Sequence, residues 1–121
     1  MNKAYTDIEQ SRKLAEILPI ESADMGWDVF VDNSARCLPI NDWDLHKDGS
    51  NGVKFIPAWS LAALLSVFSL PRLMLDEQED GERGWLVSHY TDDTRYDSYY
   101  RDEPIDACYN LILQLKEKNL L

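Results

Sequence analysis

The sequence predicts an α+β domain: an antiparallel sheet, including a three-stranded meander, with about three helices packed on it. Three observations carry that prediction. Apolar residues recur at helical spacing in three separate stretches. Between them lie alternating runs rich in aromatic and β-branched residues, joined by short turn-forming segments. Strands do not alternate with helices as a parallel doubly wound sheet requires, and no Gly-rich phosphate loop accompanies them.

The first helix begins at a capping box, Thr6-Asp7-Ile8-Glu9, in which hydroxyl and carboxylate each take the other residue's amide. Ile8, Ser11, Ala15 and Leu18 then fall on one side, widened by Leu14 and Ile17, which predicts a helix over 7–18. Pro19 stops it, because the residue before proline is pushed out of the α region. After a connector over 20–26, the run 27–32 alternates as a strand with Trp27, Val29 and Val31 on one face. Residues 35–40 are its expected hairpin partner across Asp32-Asn33-Ser34. The segment 41–52 is polar and irregular, and 53–56 reads as a short strand.

Pro57 suits the first turn of a helix, where its missing donor costs nothing. Leu61, Leu64, Leu65 and Phe68 follow at core-facing spacing, and Pro71 ends the helix. Residues 72–101 read as the three-stranded meander: 72–77, 84–90 and 95–101, with turns at Gly81–Gly84 and at Thr91-Asp92-Asp93-Thr94. In the last helix Pro104 stands near the first position and Asp102, Glu103 and Asp106 favour the N-terminal dipole. Ile105, Cys108, Tyr109, Ile112 and Leu115 line its apolar face, with Lys116 and Lys118 in the last turn. No repeat or linker interrupts the order, so residues 1–121 read as a single domain.

Charge narrows the function. The formal net charge is -10, from 22 acidic and 12 basic residues. A surface this negative repels phosphate backbones and anionic lipid, which argues against direct nucleic-acid or membrane binding. Eleven of the carboxylates and only three arginines lie between Asp76 and Asp106. The two cysteines, Cys37 and Cys108, are too few for a disulfide framework, and Cys108 falls on an apolar helix face as a small buried hydrophobe does. The N-terminal residues lack a continuous apolar stretch of the secretory kind, and the apolar run 55–71 is too short to span a bilayer, so a cytoplasmic location is expected.

Three constellations bear on chemistry. In Asn41–Gly52, Asp44, His46, Asp48 and Gly49 imitate the start of a calcium loop, but the third ligand position is a histidine and the twelfth is Phe55. Asp42, Asp44 and His46 share a face if extended and would need a further ligand such as His89; the competing reading is a turn-rich polar loop, and no metal or cofactor is assigned. Ser88 and His89 are adjacent, so on a strand they face opposite ways and form no nucleophile–base pair. Asp92-Asp93 reads as a solvated turn. The third constellation is aromatic: Trp85, Tyr90, Tyr96, Tyr99 and Tyr100 crowd one hairpin beside Arg95 and Arg101. Alternation places Tyr96 and Tyr100 on one face and Tyr99 on the other. Such residues either anchor a protein interface or stiffen a small sheet as cross-strand pairs.

Three stretches together resemble a group of short uncharacterised proteins of gut bacteria and of their phages or mobile elements. They are Ala4–Pro19 with Glu21–Met25, Ile56–Leu65, and Asp106-Ala107-Cys108-Tyr109-Asn110-Leu111-Ile112-Leu113. The resemblance implies a bacterial, intracellular setting and supplies no activity or site residue.

The leading expectation is a small acidic, non-enzymatic interaction domain, adaptor or regulatory, that docks to a protein partner through Tyr96, Tyr99, Tyr100, Asp92 and Asp93. One alternative is a nucleic-acid mimic that blocks a DNA- or RNA-binding protein. Another is a small carboxylate-dependent enzyme using the region Asp42–His46. A homodimer is expected if the tyrosine hairpin or the Leu120-Leu121 end lies bare.

Overall fold

The computed structural model describes residues 3–40, 53–77, 79–81 and 83–121. Among these residues two antiparallel three-stranded sheets and three α-helices make an α+β chain, the class the patterning predicts. The described residues form two compact units, one within 5–63 and one within 64–121 together with residues 3–4.

In the first unit β1 (Met25–Val29) is central, antiparallel to β2 (Ala35–Pro39) and to β3 (Lys54–Ala58). Helix α1 spans Ile8–Ala15. Its capping box lies one residue later than expected, on Asp7 and Gln10: Gln10 N donates to Asp7 Oδ1 at 2.8 Å and Asp7 N to Gln10 Oε1 at 3.1 Å. Thr6 is drawn elsewhere. Its amide donates to the Trp59 carbonyl at 2.9 Å, and its fully buried hydroxyl accepts from Trp59 N at 3.1 Å and meets Ser11 Oγ at 2.7 Å. Trp59 is itself fully buried, and its indole N–H donates to Ser22 Oγ at 2.9 Å; the Trp27 indole donates to the Thr6 carbonyl, also at 2.9 Å. Both indoles thus enter the interior with their donors satisfied. The helix stops short of Leu18, because the amides of Ile17 and Leu18 both return to the Leu14 carbonyl and tighten the last turn.

Pro57 does not open a helix. It lies in β3 opposite Gly26, on an edge strand where an absent N–H breaks no ladder bond. The start of α2 (Leu61–Leu65) falls instead at Ser60, whose hydroxyl accepts from Ala63 N at 3.2 Å. The Asp24 carboxylate holds that serine by taking its amide at 2.8 Å and its hydroxyl.

In the second unit β4 (Arg72–Glu77), β5 (Arg83–Thr91) and β6 (Thr94–Asp97) form the meander in that order. Helix α3 (Pro104–Glu117) packs against β5. Ile105, Cys108, Leu111, Ile112 and Leu115 on α3 are wholly buried, with Val87 on β5, while Tyr109 is only half-buried. Lys3 Nζ meets Asp106 Oδ1 at 2.7 Å in the first turn of α3, where the carboxylate also complements the helix dipole.

Candidate protein-interaction surface

The hairpin of β5 and β6 turns at Asp92 and Asp93, with φ of 47° and 65°. Two consecutive left-handed residues match the right-handed twist of the strands they join, and acidic side chains tolerate the conformation better than most. Both carboxylates are exposed, as a solvated turn requires. Behind the turn Tyr90 pairs with Arg95, whose guanidinium lies 5.9 Å from the ring centroid. Asp97 Oδ1 accepts from Arg95 Nε at 2.7 Å and from Ser88 Oγ at 2.6 Å, and that carboxylate raises the arginine's pKa further.

Tyr96 pairs with His89, their ring centroids 6.2 Å apart. His89 also meets Phe68 edge-on at 6.0 Å, and its Nδ1 accepts from Ser69 N at 2.9 Å. Burial pushes the imidazole pKa below its ordinary 6.5. The ring is therefore neutral with its proton on Nε2, tied into the core rather than offered to solvent. Ser88 and His89 have different partners, so they form no catalytic pair.

Beyond Asp97 the ladder slips by one residue. Ser88 stands opposite Asp97, yet Trp85 stands opposite Arg101, so three steps along β5 meet four along the returning chain. The last residue in the earlier register is Ser98. Its amide donates to the Val87 carbonyl at 2.9 Å and its hydroxyl accepts from the Val87 amide at 3.0 Å, replacing the backbone acceptor a regular ladder would supply. This bulge corrects the expected alternation. Tyr96 lies on the His89 face, whereas Tyr100 lies on the Gly84 and Asp76 face: a Cβ at Gly84 would come 2.8 Å from Tyr100 Cβ, and the tyrosine hydroxyl donates to Asp76 Oδ2 at 3.4 Å. Partial burial, then the Asp76 carboxylate, raise the pKa of that hydroxyl. Tyr100 also lines an open hollow with Glu77, Glu79 and Asp80.

Tyr99, at the bulge, is 64% exposed. Its backbone is nevertheless anchored, because Tyr99 N donates to Asn110 Oδ1 on α3 at 2.8 Å. The Arg101 guanidinium lies 5.6 Å from the Tyr99 ring centroid. Arg101 is held in turn by paired backbone bonds with Trp85 of 2.6 and 3.0 Å. The structure thus brings Tyr99 and Arg101 together, separates Tyr96 from Tyr100, and leaves Asp92 and Asp93 at the hairpin tip.

The other sequence candidates fare differently. Asn41 and the segment through Gly52, with Asp42, Asp44 and His46, lie outside the described residues. Among the described residues no three His, Cys, Asp or Glu side chains are grouped to hold a metal ion. Burial pushes the Cys37 thiol up to about 11 and the Cys108 thiol up to about 12, so neither is a thiolate at neutral pH. No helix among the described residues is long and apolar enough to cross a membrane. Leu120 and Leu121 are 38% and 40% exposed.

Sequence reasoning missed Asp28. Val31, expected on one strand face with Trp27 and Val29, lies past the end of β1 and is 81% exposed, while Asp28 is wholly buried. Asp28 stands between Arg36 and Phe55 in register, with Arg36 Nε 3.7 Å from its Oδ2. The available signal was Gly26 two residues earlier: a Cβ there would lie 2.2 Å from the Phe55 ring, so the glycine lets that ring cover the strand.

No family model matches the chain, and neither a curated protein nor a solved structure is found to match it.

Proposed function

We propose that this chain is a small non-enzymatic interaction domain, adaptor or regulatory, that docks to a protein partner through the surface around Tyr99 and Arg101. The observation that carries the reading is an exposed aromatic ring with a guanidinium beside it, on backbone anchored to both α3 and β5. Tyrosine and arginine are the residue types that dominate interface energetics, and anchoring before contact lowers the ordering cost of binding. Charge complementarity makes the partner surface basic, because the chain carries a formal net charge of -10 and Asp102 adjoins Arg101.

The test is capture of a partner from the native cell with wild-type protein and with Tyr99→Ala. The substitution removes an exposed ring, so folding stability stays within about 0.5 kcal/mol of wild type. Loss of the captured protein supports the reading; capture at wild-type level by Tyr99→Ala and by Arg101→Ala rejects it.

A second reading, a nucleic-acid mimic, draws on the carboxylates of Glu77, Glu79 and Asp80 around the Tyr100 hollow. It requires a nucleic-acid-binding partner and an affinity that falls steeply with salt. A partner without that property, or binding indifferent to salt, excludes it.

A further inference from the structure

We propose that two copies of this chain pair through their β4 strands, antiparallel and edge to edge, about a two-fold axis at Met74. The described sheets have four edge strands: β2 and β3 in one, β4 and β6 in the other. Three carry a guard against strand addition. Pro39 closes β2, Pro57 interrupts β3, and the Ser98 bulge ends regular pairing after β6. β4 has neither proline nor bulge. It pairs with β5 in unbroken register over all its residues, from Arg72↔Ser88 to Glu77↔Arg83, and so offers a regular outer edge. Its centre, Leu73-Met74-Leu75, is uncharged, and Leu75 is 52% exposed.

The occupant follows from the order of residues in that strand. With Met74 facing Met74 of the second copy, Leu73 faces Leu75 and Arg72 faces Asp76, and the reverse holds on the other side of the axis. Each outer pair joins opposite charges and each inner pair joins apolar side chains, the combinations that stabilise antiparallel neighbours. Arg72 and Asp76 are both exposed, and the Asp76 carboxylate, which takes the Glu77 amide at 2.8 Å and the Tyr100 hydroxyl at 3.4 Å, keeps further lone pairs for a guanidinium. Centring one residue later sets Met74 against Asp76 and Leu73 against Glu77, and centring one residue earlier sets Arg72 against Met74; both misplace charge on apolar side chains. The five residues Arg72–Asp76 are thus complementary to themselves in one register.

The product is a continuous six-stranded sheet with its edges at the two β6 strands. A single strand edge covers less surface than a standard interface, so the dimer is weak and concentration-dependent. Tyr99 and Arg101 follow β6, away from the joined edge, so each dimer offers two such surfaces.

The experiment is sedimentation equilibrium over a concentration series. Wild type is expected to rise from the monomer mass of 14.0 kDa towards twice that value. Arg72→Asp and Asp76→Arg each place like charges opposite one another in both outer pairs, and each alone is expected to stay monomeric, with circular dichroism unchanged. Mixed in equal amounts, the two variants are expected to regain the dimer, because an acidic edge then meets a basic one. A wild-type mass fixed at 14.0 kDa overturns the proposal, as does a dimer that persists in both single variants or a mixture that stays monomeric.

Discussion

The sheet around β1 and the sheet around β5 differ in how they treat their margins and their centres. The first has a proline in each edge strand, at Pro39 and Pro57, and its central strand buries Gly26 and Asp28. Its polar groups turn inward: Thr6 and Ser22 accept from Trp59, Asp24 accepts from Ser60, and two indole N–H groups end on protein oxygen atoms. The second leaves one edge regular, slips its register at the other, and sets Tyr99 outside. One sheet is organised to be closed and the other to present side chains. Hydrogen bonding achieves both, by occupying donors within the first and by pinning an exposed segment in the second.

Three measurements break or sharpen that contrast. The largest expected effect is in the first sheet. Gly26→Ala drives a Cβ into the Phe55 ring, and overpacking of this kind costs about 1–3 kcal/mol, read by urea denaturation. Combining it with Phe55→Ala should cost less than the two single losses added together, because the clash has gone; strict additivity would show that the ring is not what the glycine accommodates.

Next comes the bulge. Ser98→Ala leaves the Val87 amide, on a wholly buried residue, without its hydroxyl acceptor, a loss of about 1–3 kcal/mol. Ser98→Thr retains the hydroxyl and should recover most of it. If both variants unfold at the wild-type urea midpoint, the hydroxyl does not support the register slip.

The smallest effect is a pH dependence from His89. Its folded pKa lies below 6.5, so the unfolded chain takes up the proton first as pH falls. The stabilisation from the neutral ring is therefore complete above about pH 6.5 and declines below it, until the folded pKa is reached. Protonation also requires Nδ1 to give up the Ser69 amide. His89→Gln should flatten this part of the stability curve, and an unchanged slope between pH 7 and 5 (about the titration range of histidine) would remove the histidine from the account.

Much of the fold was legible because burial imposes short periods on the chain. Strand β4 was read at 72–77 and occurs there, and Pro104 announces the start of α3. The Asp92-Asp93 turn was equally plain from its position between two aromatic runs. What escaped was decided by partners far away in sequence. Thr6-x-x-Glu9 and Asp7-x-x-Gln10 both spell a capping box, and only the bond between Thr6 and Trp59 selects the second. Pro57 suits a helix start or an edge strand equally, and pairing with β1 settles it. The site was harder still. Its residue types were visible, but the Ser98 bulge reverses the side on which Tyr100 lies, and a slip of one residue leaves no periodic trace in a segment this short. Asp28 was hidden by the rule that strands bury their apolar positions, which a glycine-accommodated ring locally overturns.

The two thiols are distributed one to each unit, Cys37 on β2 and Cys108 on α3, and burial keeps both protonated. Cys108, wholly buried, therefore reacts with an alkylating reagent chiefly when its surroundings come apart, whereas half-buried Cys37 reacts in the folded chain at a rate slowed by its raised pKa. Labelling kinetics followed by mass spectrometry turn Cys108 into a clock for the undocking of the C-terminal helix, with Cys37 as the reference for reagent in the same sample.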